Sequence, residues 1–590
     1  MTSVTAEIDE EVSNRIAVDL DYRLKDKLKK DVPGAKWDAN RRIWTIPLSW
    51  TSCLALRVEF GDQLSIGPAL MEWAMETKSG KQELAELRSR IDIPESVDTA
   101  ELALHKPGFS DLHPYQLLGG FMGRLAEKYL FTDETGTGKS RTALASLSLL
   151  VEDYGHDAVF PCLIIAPLSV VPGWKYEIEN FFPDADVRLV TGTPSKQKAA
   201  LEPGGDFYVM NYEALRKYSR IAGWGSIALK PEEKTNKEVQ ALGIKSFIAD
   251  EAHRAKSPKA AQTRALWGAT EGARFRFALT GTPIQDTPED MWSILHLIAP
   301  HEYPNKTSYV ERYLDVVWNT WGGREVNGIK LSRQEEFFAN LDTRMRRITK
   351  EVALPFLPDK VYQTRWVTLP PKLRKAYNDM AQSLVAELET GTLAADSVLV
   401  RASRLVQLAS AFGEVLPDGS FNMIAPSPKI DAFMDDVKAG DYDGHQVVVF
   451  SDSVQLINLL DTEMKKSKMS FGRITGAEDS DTRQAAIESF QRGELQYMLI
   501  TKAAAEGVTL TAADIMVRLV RPWSLTVHKQ AEDRVHRIGS ETHESVTFID
   551  YISQDTVDEA QIVRLNAKEA RAQDVLRDGE LLAMIKGEAT

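Results

Sequence analysis

The stretch Asp133-Glu134-Thr135-Gly136-Thr137-Gly138-Lys139-Ser140 carries the strongest chemical signal in the chain. It follows the apolar Tyr129-Leu130-Phe131 and precedes Ala143, Leu144, Leu147 and Val151 at helical spacing, giving the strand, glycine loop and helix of a phosphate site. Around Gly136, Thr137 and Gly138 backbone N–H groups can approach phosphate oxygens, and the helix N-terminus adds a favourable dipole. Lys139 is then expected to neutralise the β/γ phosphates and Ser140 to ligate magnesium. Asp133 stands where the general phosphate-loop pattern has its first glycine. A second signal is Phe247-Ile248-Ala249-Asp250-Glu251-Ala252-His253, an apolar strand ending in two acids. Such a pair is often a solvated loop end. Downstream of a phosphate loop it places Asp250 on Mg²⁺ and Glu251 on an attacking water. The third is Gln530-Ala531-Glu532-Asp533-Arg534-Val535-His536-Arg537. On a helix, Gln530, Arg534 and Arg537 fall at i, i+4 and i+7, on one face, where two permanent planar cations could fork onto a γ-phosphate. Alone, the run reads more readily as salt bridges lacing a surface helix; the phosphate loop and acidic pair upstream favour the arginine reading.

Parallel α/β layers must position these groups. Short apolar runs at 163–166, 247–249, 277–280, 447–450, 497–500, 515–520 and 546–552 recur between helical patterns, as buried parallel strands do. They form two clusters, which predicts two lobes. Between the clusters, residues 302–413 read as mostly helical and charged, with a turn at Trp321-Gly322-Gly323 and breaks at Pro355, Pro358 and Pro370-Pro371. The expected division is an α+β module at 12–70, a helical linker at 71–106, a nucleotide-binding lobe with a helical protrusion at 107–357, a second lobe at 358–576 and a tail at 577–590.

Composition narrows the class. The chain has 590 residues, 43% hydrophobic and 26% charged, enough for several cores. Cys53 and Cys162 are its two cysteines, which excludes a disulfide framework or a cysteine-rich zinc module. Residues 1–12 are acidic, without an apolar signal core, and no run approaches the ~20 apolar residues of a membrane span. The expected location is the cytoplasm, at the nucleoid or in a host cell if the protein is viral, with no membrane partner. The net charge of −14 argues against a protein that coats nucleic acid, while leaving room for a local basic cleft.

Taken in order, these pieces resemble the motif series of superfamily 2 helicase-like ATPases of the Swi/Snf type. Leu112-His113-Pro114-Tyr115-Gln116 resembles the adenine-reading Gln motif. The loop beginning Asp133-Glu134 is similar to the Swi/Snf form of motif I, which accounts for the missing glycine. Leu163-Ile164-Ile165-Ala166-Pro167-Leu168-Ser169 with Trp174 resembles motif Ia, Asp250-Glu251-Ala252-His253 motif II, and Leu279-Thr280-Gly281-Thr282-Pro283 motif III. In the second half, Val449-Phe450-Ser451 resembles motif IV, Ile474-Thr475-Gly476 the region after it, and Thr501 through Gly507 motif V; 530–539 is similar to motif VI. Motif V carries Ala503-Ala504-Ala505 where relatives have more glycine, Trp523-Ser524-Leu525 replaces Trp-Asn-Pro, and Ser540 replaces a final Gln. The resemblance implies an α/β fold of two RecA-like parallel-sheet lobes with helical protrusions, a P-loop DEAH-type site for ATP and Mg²⁺, and a DNA translocase. ATP would be held by Gln116, Gly136, Thr137, Gly138, Lys139, Ser140, Gly507 and Gln530, with Asp250, Glu251, Arg534 and Arg537 catalytic. DNA contacts are expected at Pro167, Ser169, Thr475, Gly476 and Thr501.

The N-terminal unit joins lysines and arginines to tryptophans: Lys25, Lys27, Lys29, Lys30, Lys36, Trp37, Arg42 and Trp44. Cations beside rings suit single strands, whose bases stack while phosphates pair. Pro33-Gly34-Ala35-Lys36-Trp37 and Arg42-Ile43-Trp44 also resemble the small module of annealing-helicase (HARP-type) members of the group. Lys36, Trp37, Arg42 and Trp44 are therefore candidate nucleic-acid contacts, although both tryptophans would equally serve as core of a small αβ unit. Residues 309–350, with Tyr313, Trp318 and Arg346-Arg347, resemble the protrusion of Swi/Snf-type motors. Duplex, forked and single-stranded DNA all remain open as the partner, as do an RNA-dependent ATPase and a DNA-binding scaffold without turnover. A monomer is the working expectation.

Overall fold

The computed structural model describes the chain except residues 1–3, 13, 33, 89, 91–96, 319–323, 384, 389–390, 395–397, 503–507 and 577–590. It divides into two compact units: Met1–Glu134 with Gly138–Ala353 and Arg571–Thr590, and Thr135–Thr137 with Leu354–Ala570.

In the first unit, β1 (Val4–Ile8), β2 (Arg15–Leu20), β3 (Lys36–Asp38), β4 (Ile43–Pro47) and β5 (Leu64–Ile66) form a sheet in the order β3-β4-β2-β1-β5. Alternation puts Val4, Ala6, Ile16, Val18, Trp44 and Ile46 on one face, where they bury against Leu28, Leu56 and Phe60 of the adjoining helices. The sheet begins before residue 12, where the sequence reading started this module, and its β1, between β2 and β5, is short and followed by the acids Asp9, Glu10 and Glu11. Two ties dock the module onto the helices that follow residue 300: Arg312, held by the Glu336 carboxylate of the same region (2.7 Å), donates to the Asp31 carbonyl (2.6 Å), and Arg333 pairs with Glu59 (3.3 Å). The helix Pro68–Arg88 buries Leu70 in the module core and Leu84 in the core of the large sheet, so one rigid element joins both.

The large sheet holds β6 (Lys128–Phe131), β7 (Cys162–Ala166), β8 (Val187–Val190), β9 (Phe207–Asn211), β10 (Ser246–Asp250) and β11 (Phe275–Leu279). A hairpin, β12 (Leu314–Trp318) with β13 (Arg324–Ile329), interrupts the region expected to be helical. The two-residue β14 (Met345–Arg346) then completes the order β14-β6-β11-β10-β7-β9-β8, parallel throughout. Helices cover both faces, which is why β7 and β10 are continuous apolar runs.

The second unit is built on β15 (Asp359–Val367), two hairpins, β16 (Val385–Leu388) with β17 (Gly391–Ala394) and β18 (Phe412–Val415) with β19 (Phe421–Ile424), then β20 (Val447–Ser451), β21 (Phe471–Ile474), β22 (Tyr497–Ile500), β23 (Ile515–Val520) and β24 (Ser545–Ser553). Its main sheet runs β15-β24-β23-β20-β22-β21, again all parallel. The fold is therefore two parallel-sheet lobes and a small N-terminal sheet module. Among the described residues, no helix is long and apolar enough to cross a membrane.

Candidate active site

The strand order decides which groups of the first lobe can meet. Phosphate loop, acidic pair and Thr-Gly-Thr turn follow β6, β10 and β11, and β11 lies between the other two. Their C-terminal ends therefore open onto one crevice, where open parallel sheets place ligands.

After β6, Thr132 and Asp133 are buried, and the chain turns through Gly136 (φ +83°) and Gly138 (φ +77°) into the helix Lys139–Tyr154. A side chain at Gly138 would be both strained and obstructed, since a Cβ there would lie 2.2 Å from the Gln116 amide nitrogen. Gln116 itself is buried, and its Oε1 accepts from the His113 N–H at 2.9 Å, which fixes the amide over the loop. The Lys139 ammonium donates to the carbonyls of Asp133 and Glu134, each at 2.9 Å. Ser140 occupies the first turn of the same helix.

Asp133 faces Arg346 of β14 at 3.4 Å, with both side chains buried. Burial raises the Asp133 carboxyl above its usual range, opposed first by Arg346. Backbone hydrogen bonds run from Leu130, Thr132 and Glu134 to the carbonyls of Arg344, Arg346 and Ile348, so residues 344–348 extend the sheet alongside the front of the phosphate loop. Arg346-Arg347, read from sequence as part of a protrusion, thus lie inside the sheet edge. Strand pairing along β14 buries them.

At the end of β10, Asp250 Oδ2 accepts the indole N–H of Trp174 (3.0 Å) and Oδ1 accepts the Glu251 N–H (2.9 Å). Burial, then the neighbouring Glu251 charge, pushes the Asp250 carboxyl up to about 6, while Trp174 and Lys139 pull the other way. Glu251 sits in left-handed backbone (φ +50°), a costly conformation for a glutamate, and its carboxylate lies 3.2 Å from His253 Nδ1. The same His253 nitrogen is 3.1 Å from the Thr280 hydroxyl, which also accepts from the Thr282 N–H at 3.2 Å. Motifs II and III are therefore joined through a histidine to which the sequence reading gave no role.

Among the described residues, no group of three or more His, Cys, Asp or Glu could cage a metal. One partly buried carboxylate, Asp250, and one helix-terminal hydroxyl, Ser140, fit Mg²⁺ nonetheless. That ion keeps several waters and takes its remaining oxygens from substrate phosphates. Pro167 is buried after β7, and Ser169 is exposed in the short helical turn beside it.

In the second lobe Thr475, Gly476 and Thr501 come together: the Thr501 N–H donates to the Ile474 carbonyl (3.2 Å), and its hydroxyl to the Thr475 carbonyl (3.3 Å). Thr475 also donates to Glu478, whose carboxyl is held down to about 2 by Thr475 and Arg473 against the burial that opposes it. Gly507 lies outside the described residues, as do Ala503 to Glu506. The motif VI helix is shorter than the periodicity predicts. It spans Leu525–Glu532, so Gln530 is helical while Arg534 and Arg537 lie in the turns beyond, and the shared helical face is not formed. Arg534 instead donates to the carbonyls of Gln530 (2.9 Å) and Val508 (3.0 Å), and His536 Nε2 lies 2.8 Å from the Pro358 carbonyl. The helix is anchored by Glu532, which meets Arg518 (2.5 Å), Lys360 (2.9 Å) and Tyr362 (3.1 Å). In the N-terminal module, Lys36, Trp37 and Arg42 are exposed, Trp37 by 50%, whereas Trp44 is core. Trp37 packs on Trp44 with ring centroids 5.4 Å apart, and Lys29 stands 5.3 Å over the Trp44 ring.

Residues 71–411 match the SNF2-related domain, and residues 429–539 match the helicase conserved C-terminal domain. The first match alone covers more than half of the chain. The chain belongs to the SNF2-related family. Similar SNF2-related proteins include an uncharacterized ATP-dependent helicase of Mycoplasma pneumoniae, 24% identical over 80% of this chain and 44% of its own length. Mouse chromodomain-helicase-DNA-binding protein 1-like is 27% identical over 72% of this chain and 45% of its own. The SNF2-related chain spans between a quarter and about half of the length of such relatives. The SWI2/SNF2 ATPase core of Sulfolobus solfataricus in complex with dsDNA is a similar solved structure, at 21% identity over 80% of this chain and 94% of that one, with a TM-score of 0.36.

Proposed function

We propose that this SNF2-related chain is a nucleic-acid-dependent ATPase that hydrolyses ATP between its lobes to translocate along DNA, rewinding or remodelling what lies ahead. The observation that supports this reading best is the crevice of the first lobe. There the Gly136 to Ser140 loop, with Gln116 against Gly138, and the Asp250–Glu251 pair follow the C-terminal ends of β6 and β10, which only β11 separates.

In this reading Gln116 reads the adenine. The loop N–H groups and Lys139 hold the phosphates, and Ser140 with Asp250 would hold magnesium. Bound there, the metal supplies charge neutralisation at the β and γ oxygens. Glu251 orients the attacking water and takes its proton. Arg534 and Arg537 are assigned to stabilise the charge that develops on the γ-phosphate, and Gln530 and Gly507 to help hold the nucleotide. Pro167, Ser169, Thr475, Gly476 and Thr501 contact a DNA backbone, and Lys36, Trp37 and Arg42 guide a strand, with Trp44 supporting Trp37 from the core. The protein acts where DNA is, at the nucleoid or in a host cytoplasm.

The test is steady-state ATP hydrolysis with forked, duplex and single-stranded DNA and with RNA. Stimulation of at least tenfold by a DNA supports the reading. Turnover indifferent to every DNA, or stimulated by RNA alone, contradicts it.

A further inference from the structure

Arg347 touches both the start of the phosphate loop and the turn after β11, and neither the motif series nor the proposed chemistry gives it a role. The residue is 4% exposed, and its guanidinium reaches several acceptors. Nη1 donates to the Thr132 carbonyl (2.6 Å) and the Gly281 carbonyl (2.9 Å), and Nη2 to Glu134 Oε1 (3.3 Å). The other Glu134 oxygen accepts the Lys350 N–H at 2.8 Å, which closes the segment 347–350 onto the loop. From Gly281 the path continues through its neighbour Thr280 to His253 (3.1 Å) and on to the Glu251 carboxylate (3.2 Å).

We propose that Arg347 is a positioning residue that couples the phosphate loop to the water-orienting Glu251 through the Thr280-Gly281-Thr282 turn. This rests on the ATPase reading above. Arginine suits the place because its planar fork presents several donors in fixed directions, which a lysine ammonium cannot reproduce across acceptors on two strands. The backbone of residues 344–348 holds the loop whatever side chain stands at 347. Nucleotide binding should therefore survive a substitution that misplaces Glu251. Loss of alignment without loss of binding appears in kcat and not in KM.

The experiment is a double-mutant cycle on ATP turnover with Arg347→Lys and Thr280→Val, read beside ADP affinity and thermal melting. Each single variant should lower kcat by 10- to 100-fold, with ADP affinity within threefold of the unmodified chain. The double variant should be no slower than about the worse single, because both cut one path. If Arg347→Lys does not fold, Glu134→Ala runs the same cycle against Thr280→Val, with the same expectation. Effects that multiply in the double variant overturn the coupling, as does an Arg347→Lys rate within threefold of the unmodified one, or a loss that falls on ADP affinity instead. No turnover in the unmodified chain would overturn the ATPase reading and this inference together. An active unmodified chain with an indifferent Arg347→Lys overturns this inference alone.

Discussion

Removing Arg346 should leave a carboxylate stranded behind the phosphate loop. Asp133 is 1% exposed and Arg346 2% exposed, their closest atoms are 3.4 Å apart, and neither side chain has a hydrogen bond that would replace the other. Deleting one member of such a buried pair costs about 3–5 kcal/mol, since the survivor keeps its desolvation penalty and loses its partner. For a unit of roughly 370 residues, with an unfolding entropy near 2.1 cal/mol/K per residue, that is a fall in melting temperature of about 4–6 °C. The loss has a pH signature. Burial already raises Asp133 above its unfolded value of 3.8, and Arg346 is the largest opposing influence, so Arg346→Met raises it further. The native state then holds a proton that the unfolded chain has released. Stability of the variant therefore falls as pH climbs from about 3.8 toward the raised native value, and levels off above it. The assay is thermal melting of Arg346→Met, Asp133→Asn and the double variant across pH 4 to 8. The double variant should lose clearly less than the sum of the singles, and its excess pH slope should vanish. Single variants that each cost under about 1 kcal/mol, or additive losses, would refute the argument.

Other outcomes follow from the same geometry. Lys139→Ala and Glu251→Gln should each lower ATP turnover by at least a thousandfold while melting within about 3 °C of the unmodified chain; comparable turnover in either would remove that residue from the site. Trp174→Phe deletes the donor that lowers Asp250, so the acid limb of the kcat/KM profile, expected near 6, should move to higher pH, and an unmoved limb would separate Asp250 from it. Lys81, pushed down to about 7 by burial and then by Arg344, costs stability while charged and relieves that cost as pH rises from 7 toward its unfolded 10.5. Lys81→Met should therefore melt higher at pH 7, by a stability gain of a few kcal/mol at most, and show a flatter profile between pH 7 and 10; a lower melting point at pH 7 would contradict this.

The two-lobed fold was legible because buried parallel strands betray themselves as apolar runs. The phosphate loop was legible because its glycines sit between such a strand and a helical pattern. What escaped lies at sheet edges and in connections. The edge strand β15 is largely exposed and reads Asp-Lys-Val-Tyr-Gln-Thr-Arg-Trp-Val, with neither an apolar run nor clean alternation. The β12–β13 hairpin hid inside a charged stretch, and β1 lay within the acidic stretch 1–12. The motif VI helix stops at Glu532 because tertiary partners claim what comes next: Arg534 turns to Val508 and His536 to Pro358. Periodicity of 3.6 counts residues and is blind to such pulls. Arg346, Arg347 and His253 were visible as residue types. Their roles depend on β14 pairing with β6 and on β11 lying beside β10, and strand order is not written in local sequence.

The proposed function gives Arg537 a part in ATP hydrolysis, and Arg537→Ala tests that proposal most directly. ATP binding and single-turnover hydrolysis are measured on the same preparation with saturating DNA. Binding within about threefold of the unmodified chain, with hydrolysis slower by roughly 10³ or more, is the predicted result; hydrolysis at the unmodified rate would contradict the account.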